Sequence, residues 1–477
     1  MELDVVVLAR AQFAFTVMFH YLFPPLSIGL GGMLVFFEAI YLRTGDKDYE
    51  TLTRFFTKIF AVNFALGVAS GIVMEFQFGT NWSTYSRFVG DVFGSALASE
   101  GIFAFFLESG FLAVLVFGWD RVSPRMHFFS ACMVWLGSIF SAVWIVIANS
   151  WQQTPAGFHV VGEGANARAE ITDFWALVFN PSSMDRLVHV ILGSFLTGAF
   201  VVMSITAYYV LKGRHLQLAR KAFNVALIYG FVTAVAIGAS GHSQAQLLHT
   251  TQPAKLAAFE GHFETGDGGA SMTLIGYPDA KAKKTHFAVS VPNLLSFLVH
   301  SDPNEPVKGL DQFPESDWPP LVVPFFAYRM MVGLGVFMLA LTGLGLFLRW
   351  RGTLIENRFM MKIFVGAVFA PYIANQTGWV SAEVGRQPWV VYGLLRTKDA
   401  VSPSVSGGET LTSIIMFGLI YLLLGAVWVF VMNSKIQHGP ESSSRPLDDE
   451  ESSGFLEAAR DIHGNPAYSL TDARGES

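Results

Sequence analysis

Histidines, glutamates and a methionine lie within stretches of this chain that are apolar enough to cross a membrane. The members of this set are His20, Glu100, Glu108, His189, Met331 and Glu383. A charged side chain at membrane depth costs about 2.5 kcal/mol or more on insertion scales, so such residues are functional candidates by default. Neutral imidazole and thioether are the usual axial ligands of an electron-transfer haem, whereas buried carboxyls can exchange protons. The chemistry indicated is haem binding, proton transfer or both.

Glu383 lies where an apolar run ends, in the segment 378–389. The side chains that surround it in the sequence are Trp379, Arg386, Gln387 and Trp389. In one interpretation the tryptophans and Arg386 mark the headgroup boundary of a membrane, and Glu383 only pairs with Arg386. In the other interpretation Glu383 is a functional carboxylate at membrane depth. The segment alone favours neither.

His189 and Met331 open two different predicted helices and could ligate one haem, with Arg329 available for a propionate. Taken singly, His189 also fits a capped interfacial histidine, and Met331 also fits ordinary core packing. Arg329 and Met331 are two residues apart and therefore point in different directions. His20 lies deeper in its helix, although a buried histidine bonded to a carbonyl oxygen is an alternative there.

Glu100 and Glu108 share one predicted helix. Their separation in the sequence places them about 12 Å apart along the helix axis and about 80° apart around it. One could ligate or neighbour a haem while the other relays protons inward. The alternative is a pair of hydrogen-bonded structural acids.

The segment 252–260 carries Lys255, Phe259 and Glu260 within a long loop. Lys255 and Glu260 would be about 140° apart on a short helix. A quinol headgroup needs an acceptor for each hydroxyl proton and an apolar slot for its ring, which these residues could supply. A solvated charged helix fits the spacing equally well.

The elements that position these residues are predicted to be membrane helices. The chain has 477 residues, is 52% hydrophobic and is 14% charged, against a usual charged fraction of roughly 25%. Apolar stretches of about 20 residues predict an all-α polytopic membrane protein with about nine transmembrane helices. They lie near 12–41, 55–78, 93–118, 127–150, 187–211, 221–243, 325–348, 360–384 and 410–432.

The charge distribution predicts the orientation and the domains. Loops after the first, third, fifth and seventh predicted helices are short and basic, which places them in the cytoplasm, the N-terminus outside and the C-terminus inside. Four regions are predicted. Helices one to six occupy 1–243, an outer loop occupies 244–324, and helices seven to nine occupy 325–434. A disordered acidic cytoplasmic tail occupies 435–477. The single Cys132 excludes disulfides within the chain and cysteine-ligated clusters. No basic cluster indicates a nucleic-acid partner.

Several motifs in order make the chain resemble subunit I of the cytochrome bd quinol oxidases, from His20 to about residue 432. The motifs are Glu-Phe-Gln-Phe-Gly-Thr-Asn-Trp at 75–82, Ala-Phe-Phe-Leu-Glu-Ser at 104–109, Gln-Pro-Ala-Lys-Leu-Ala-Ala at 252–258, Arg-Met-Met-Val-Gly-Leu-Gly at 329–335 and Gly-Arg-Gln-Pro-Trp at 385–389. The modest 244–324 loop is similar to that of the short-loop class, which includes the oxidases called cyanide-insensitive.

The resemblance implies haems near the outer face, namely two b-type haems plus a haem d, or a third haem b in its place. It implies that His189 and Met331 ligate the low-spin haem b and that Arg329 favours its reduced form. The axial ligands implied for the other two haems are His20, Glu100 and Glu383.

The resemblance also implies roles around the haems and at the loop. Lys255 and Glu260 would belong to the quinol-oxidising loop, and Trp379 would lie between haems. The residues implied at the propionates and the cofactor edge are Arg386, Gln387 and Trp389.

The implied function is that of a terminal respiratory oxidase subunit in the bacterial cytoplasmic membrane. Ubiquinol or menaquinol would be oxidised at the outer face, and O2 would be reduced to water with protons from the cytoplasm. Proton motive force would arise without pumping. The predicted proton path contains Lys58, Glu108, Ser109, Asp120 and Ser141. The implied partners are a second large membrane subunit, subunit II, and a very small accessory subunit.

Two other functions can be compared with that of a cytochrome bd subunit, namely a haem-copper oxidase and a proton-coupled transporter. A haem-copper oxidase is excluded because it needs more intramembrane histidines than His20 and His189. A proton-coupled membrane transporter without haem stays an alternative, in which Glu100, Glu108 and Glu383 carry protons.

Overall fold

The computed structural model describes residues 4–441, which are mostly helical. Helices α1 to α16 span Val5–His20, Pro24–Thr44, Lys47–Asn81, Ser83–Phe88, Gly90–Ser99, Phe106–Phe117, Pro124–Gln153, Phe174–Val178, Ser183–Lys212, Leu216–Thr251, Pro253–Glu260, Leu294–His300, Val322–Trp350, Arg358–Gly366, Phe369–Val384 and Gly407–His438. Strands β1 to β6 span Phe158–Val161, Arg168–Ile171, Met272–Asp279, Lys284–Val291, Trp389–Val391 and Leu395–Arg396. They pair antiparallel as β1–β2, β3–β4 and β5–β6.

Within residues 4–441, eight helical segments are long and apolar enough to cross a membrane. One of them, Val5–Thr44, covers both α1 and α2. The predicted span 360–384 is instead divided into α14 and α15, which have 9 and 16 residues. Pro371, in the first turn of α15, has no N–H to donate to the carbonyl of Ala367, and the helix is interrupted just before this turn, at residues 367–368. Each piece is shorter than the about 20 residues of a full crossing, and the count of nine spans and the orientation stay predictions.

The centre of the bundle is the crossing of α2 and α9. A Cβ added to Gly29 would lie 2.0 Å from the carbonyl oxygen of Ser194, and one added to Gly198 would lie 2.2 Å from the carbonyl carbon of Gly29. Backbone therefore packs on backbone, as small residues allow between membrane helices. The buried core around this crossing includes Leu30, Phe37, Phe60, Phe200 and Phe223.

The long loop is shorter than predicted, because the flanking helices extend into it. Helix α10 continues to Thr251 and α13 begins at Val322, inside the predicted boundaries 244–324. The loop contains α11, α12 and the β3–β4 hairpin. Residues 254–260 of α11 are all buried, with α10 and α13 as packing partners. The solvated charged helix that the spacing allowed is therefore wrong.

The C-terminal helix α16 also extends further than predicted. It ends at His438, beyond the predicted start of the acidic tail at residue 435. Residues 442–477, on which the rest of the tail prediction falls, lie outside the described residues.

Candidate functional site

A cavity of about 1070 Å³ lies among α1, α3, α7 and α15. The predicted site residues that line it are His20, Glu100, Glu108, Ser141, Trp379, Glu383, Arg386 and Gln387. Its volume is slightly above the usual range for ligand pockets, about 300–1000 Å³. The fold therefore gathers side chains from both ends of the sequence around a space that suits a large ligand.

His20 is held at the end of α1, where Pro24 begins α2 and the preceding helix stops. Its Nδ1 lies 3.0 Å from Ser70 Oγ, and Ser70 Oγ donates its proton to the carbonyl of Leu66 at 2.8 Å. Ser70 therefore accepts from His20 Nδ1–H, because a hydroxyl has a single proton to give. The lone pair is left on Nε2, which is the arrangement of a metal-ligating histidine.

Glu100 and Glu108 both accept hydrogen bonds from α7. Ser141 donates to Glu100 at 2.5 Å, and Ser138 donates to Glu108 at 2.5 Å. The two serines are three residues apart and share one helix face. A π-helical segment, Glu100–Phe105, lies between the glutamates, so the α-helical separation of about 80° does not apply. Ser138 was missed, although it lies one turn from the predicted Ser141.

Glu383 lies in the cavity wall and is paired there. Its Oε2 accepts from Arg386 at 2.5 Å, and its Oε1 accepts from Asn149 at 3.1 Å and from Gln153 at 3.3 Å. Arg386 also donates to Gln152 at 2.7 Å. The pairing of Glu383 with Arg386 is confirmed, whereas the role of Arg386 at a propionate stays a prediction.

Two charged residues beside this wall were missed by sequence reasoning. Arg186 lies 4.0 Å from Glu383 and over the ring of Trp379, 5.7 Å from its centroid. Glu75, which begins one of the motifs, lines the cavity. Glu75 could have been found as a carboxylate inside an apolar run of the sequence. Arg186 could have been found because it lies three residues before His189, on the same helix face.

His189 and Met331 lie outside the cavity lining of the described part of the chain. His189 Nδ1 is 3.2 Å from Ser240 Oγ on α10. Met331 lies against α15, where a Cβ added to Gly378 would be 2.9 Å from the sulfur. Helix α10 packs against both α9 and α13, which carry the two predicted ligands. The structure thus places the pair on helices that share a neighbour, and glycine at 378 leaves room at the sulfur.

Lys255 and Glu260 are buried on α11, with exposed fractions of 4% and 1%. Lys255 Nζ donates to Gln153 at 2.9 Å, and Glu260 accepts from Arg329 at 3.3 Å. Burial lowers the pKa of Lys255 well below its usual value and raises the pKa of Glu260 to about 7, because desolvation disfavours the charged forms. Glu260 can therefore exchange a proton near neutral pH, and burial disfavours the charged form of Lys255.

Arg329 fastens the loop to α13. Its guanidinium donates to the backbone oxygen of Phe259 at 2.5 Å and to that of Thr273. Phe259 stacks on Tyr328 with ring centroids 5.1 Å apart. An aromatic surface is therefore present beside Glu260, and the proposed role of Arg329 toward a haem stays a prediction.

Gln153 joins the loop to the cavity wall. Its side-chain oxygen accepts from Lys255, and its side-chain nitrogen donates to Glu383. Its backbone oxygen accepts from Gln252 at 2.8 Å. A single side chain thus connects the loop lysine with the cavity carboxylate. No feature of the sequence points to this residue, because its partners are 102 and 230 positions away.

The predicted proton path is only partly assembled. Glu108 and Ser141 line the cavity. Asp120 pairs with Arg54 at 3.2 Å, and Lys58 and Ser109 are exposed. The whole path, through Lys58, Glu108, Ser109, Asp120 and Ser141, stays a prediction.

Comparison with known proteins identifies the family of this chain. A family model described as Cytochrome bd terminal oxidase subunit I matches residues 8–440. The chain belongs to this family. It is 41% identical over 444 residues to the cytochrome bd ubiquinol oxidase subunit 1 of Bacillus subtilis (strain 168), which covers 91% of this chain and 94% of that relative.

Two further members of the cytochrome bd group extend the likeness. The cytochrome bd-II ubiquinol oxidase subunit 1 of Escherichia coli (strain K12) is 34% identical over 504 residues, which covers 92% of this chain and 98% of that relative. The solved structure of the bd oxidase from Geobacillus thermodenitrificans superposes with a TM-score of 0.84 at 30% identity, over 92% of this chain and 99% of that chain. The predicted all-α membrane fold is therefore confirmed.

Membership in the cytochrome bd subunit I family favours the oxidase over the transporter. The chain is a subunit of a terminal respiratory oxidase, a quinol:oxygen oxidoreductase of the bacterial membrane. The family also implies haem cofactors.

Proposed function

We propose that this chain takes electrons and protons from a membrane quinol at the buried helix α11 and provides the cavity in which oxygen is reduced to water. The observation that carries the proposal is Gln153, which hydrogen-bonds both Lys255 in the loop and Glu383 in the cavity wall. The loop side holds proton acceptors away from water, and the cavity side offers ligating atoms around a large space. The donor and acceptor halves of one redox reaction then lie in adjoining regions.

The quinol headgroup would lie against Phe259 with its hydroxyls toward Glu260 and Lys255. Glu260 accepts one proton at its carboxylate, since burial raises its pKa to about 7. Lys255 accepts the other at its amine, because burial lowers the pKa of that group. Arg329, 3.3 Å from Glu260, compensates the carboxylate charge before the proton arrives. The protons then leave on the loop side, which is predicted to be outside.

The quinone species is open between ubiquinol and menaquinol. Relatives in Bacillus subtilis (strain 168) are named for each of the two. Both present the same pair of hydroxyls to Glu260 and Lys255, so the proposed contacts suit either one.

The cavity residues fit haem. His20 turns Nε2 away from its serine partner, and a Cβ added to Gly71 would lie 3.2 Å from His20 Cε1, so glycine leaves the ring its space. The residues that would hold two haems are His20, Glu100 and Glu383, and those that would hold the third are His189 and Met331. The proposed set is two b-type haems plus haem d, or a third haem b. Bound haem supplies electron transfer from quinol and the binding of O2.

Charged and aromatic residues would support these cofactors. Trp379 contacts Tyr21 edge to face, with ring centroids 5.5 Å apart, and lines the cavity between the proposed ligands. Arg329 would favour the reduced form of the low-spin haem b. The residues proposed at the propionates and the cofactor edge are Arg386, Gln387 and Trp389.

Protons for oxygen reduction would come from the cytoplasm and pass from Glu108 to Glu100. Their partners Ser138 and Ser141 lie one turn apart on α7, which supports a short step between the two carboxyls. The residues proposed to supply Glu108 are Lys58, Ser109 and Asp120. The protons released from quinol leave on the loop side of the membrane, and the protons consumed in forming water come from the cytoplasm. Proton motive force therefore arises without pumping.

The proposed partners are subunit II and a very small accessory subunit. The family name itself, subunit I, indicates a complex with another subunit. Helix α16 offers a broad exposed apolar face to partners or lipid, with Leu419, Leu422, Leu423 and Phe430.

Reduced-minus-oxidised absorption spectra of the purified complex test the proposal, with Met331→Leu as the variant. We expect haem bands in the wild type and selective loss of the low-spin haem b signal in Met331→Leu, because the thioether ligand is removed. Met330→Leu, at an adjacent and exposed position, is the control and should keep every band. A wild type without haem bands would contradict the haem assignment, and an unchanged Met331→Leu spectrum would contradict that ligand alone.

A further inference from the structure

The β3–β4 hairpin turns apolar side chains outward along both of its strands. The exposed members, which we call the hairpin face, are Leu274, Ile275, Tyr277, Phe287, Val289 and Val291. Phe287 is 90% exposed and Ile275 is 66% exposed. A hairpin with one side on protein and the other in water normally shows polar residues outward. A concentration of large exposed apolar side chains marks an interaction surface, so something apolar is expected to cover this one.

The depth of the hairpin indicates what covers it. Arg329 donates to the backbone oxygen of Thr273 in β3. Arg329 follows the start of α13 at Val322 by about 10 Å along the helix axis. Strand β3 therefore lies beside the first two turns of a helix that is long and apolar enough to cross the membrane. This position is at the boundary of the bilayer rather than above it.

The apolar surface continues from α13 onto the hairpin. Val323, Phe326 and Met330 are exposed on α13 at the level of Arg329. They are three and four residues apart and so form one helix face. An exposed apolar face on a spanning helix is suited to lie against lipid. The hairpin face extends that surface toward the loop.

Lysines surround the turn of the hairpin. Lys283 pairs with Glu315 at 2.5 Å, whereas Lys281 and Lys284 are exposed. Cations beside exposed apolar side chains suit a segment that lies at the level of anionic lipid headgroups. Tyr277 is of the aromatic type that is enriched at this level.

We propose that the hairpin face docks on the lipid leaflet on the loop side, with Ile275, Phe287 and Val289 at the boundary between headgroups and acyl chains. Lys281 and Lys284 then lie among anionic headgroups. This docking needs neither haem nor quinol, so it goes beyond the proposed function and can fail independently of it.

The docked hairpin would hold the edge of the quinol region at the membrane surface. Thr273 in β3 is bonded to Arg329, and Arg329 pairs with Glu260. A long-chain quinol that leaves the lipid therefore meets the hairpin beside the proposed proton acceptor. Loss of docking should impair quinols that must come from the bilayer and spare those that come from water.

A nitroxide attached at Phe287→Cys measures the depth directly. The complete complex carries Cys132→Ala to remove the free thiol of this chain and is placed in nanodiscs of zwitterionic and anionic lipids. We expect the label to collide more often with O2, which concentrates in lipid, than with a water-soluble nickel chelate. The matched control is a label at Asn304→Cys, an exposed position in the same loop, which should show the opposite preference.

The other outcomes of this measurement overturn the proposal. Equal access of the nickel chelate to positions 287 and 304 would place the hairpin face in water. Shielding of the label at 287 from both reagents would show that a protein partner or a second copy covers the face.

Steady-state kinetics test the consequence without a label. We expect Phe287→Ser to raise the KM for a long-chain quinol in the nanodisc severalfold, while the KM for a short-chain soluble quinol and the haem spectrum stay unchanged. Val160→Ser removes an exposed apolar side chain from the β1–β2 hairpin and should change neither constant. An equal rise for both quinols would indicate a distorted loop and overturn the docking.

Discussion

The cavity wall and the buried loop helix hold most of their ionisable side chains in different ways, with Glu383, which pairs with Arg386, as the exception in the wall. In the cavity wall, His20, Glu100 and Glu108 are each anchored by one serine hydroxyl and border open space. On α11, Lys255 and Glu260 are enclosed and bonded to protein. The difference teaches that ligating atoms need room and orientation, whereas proton acceptors need exclusion from water, because desolvation is what moves their pKa values.

The largest effect is expected for Glu383→Gln, which should damage the cavity and spare the loop. The amide keeps the volume of the side chain but removes the carboxylate, which pairs with Arg386 and is itself the proposed haem ligand. We expect oxidase activity to fall at least about 100-fold, with loss of one haem signal. Oxygen consumption and the absorption spectrum measure this. Glu409→Gln, at the exposed start of α16, should retain both, and wild-type haem content in Glu383→Gln would refute the ligand assignment.

Glu260→Gln should break the loop and spare the cavity. Removal of a general base typically costs at least about 100-fold, so we expect kcat/KM for quinol to fall by that factor. The spectrum of the chemically reduced complex should be unchanged, because the haem ligands lie elsewhere. Glu264→Gln, exposed in the same loop, is the matched control. A normal kcat/KM in Glu260→Gln would remove this residue from the reaction.

The pH dependence of quinol oxidation should follow Glu260. Burial raises the pKa of this carboxyl to about 7, and the deprotonated form is the proton acceptor. Below that value the carboxyl is already protonated, so kcat/KM should rise about tenfold per pH unit and level off above the pKa. Rate measurements between pH 5.5 and 8.5 on the wild type and Glu260→Gln test this. A wild-type profile that falls with rising pH would contradict the assignment.

Gln153→Met should give the smallest effect and show whether the two regions are coupled. Methionine is close in volume but removes the bonds to Lys255 and Glu383. We expect electron transfer from quinol to haem to slow about fivefold in stopped-flow measurements, the equivalent of one lost hydrogen bond. The haem spectrum should stay unchanged. Gln12→Met, which removes a buried amide bonded to Ser413, controls for stability, and equal rates in both variants would argue against coupling.

The membrane spans could be predicted because a bilayer crossing is a local property of about 20 apolar residues. The division of 360–384 was missed because Pro371 lies within an otherwise apolar run, and its missing N–H changes hydrogen bonding without changing hydropathy. The π-helical segment before Glu108 was also missed, because no residue type or change in hydropathy distinguishes it from an α-helix in the sequence.

The candidate ligands could be predicted because histidine and glutamate are conspicuous in apolar helices. Of their serine partners only Ser141 was predicted. Ser138 and Ser70 were missed, because serine is common in such helices and Ser70 is 50 positions from His20. The burial of Lys255 could not be predicted either, because a charged residue in a loop is normally solvated. The residues that bond Lys255 and Glu260, which are Gln153 and Arg329, come from helices distant in the sequence. Contacts between segments that are distant in the sequence therefore determine the partners and the burial of these residues, which composition and spacing do not show.

Backbone contact between α2 and α9 at Gly29 and Gly198 sets the distance between those helices without any cofactor. The centre of the bundle can therefore be assembled in the membrane before haem is inserted, and the cavity can be formed before it is filled. A larger residue at either glycine would push α2 away from α9 and disturb the bundle around the cavity, whatever the cavity holds.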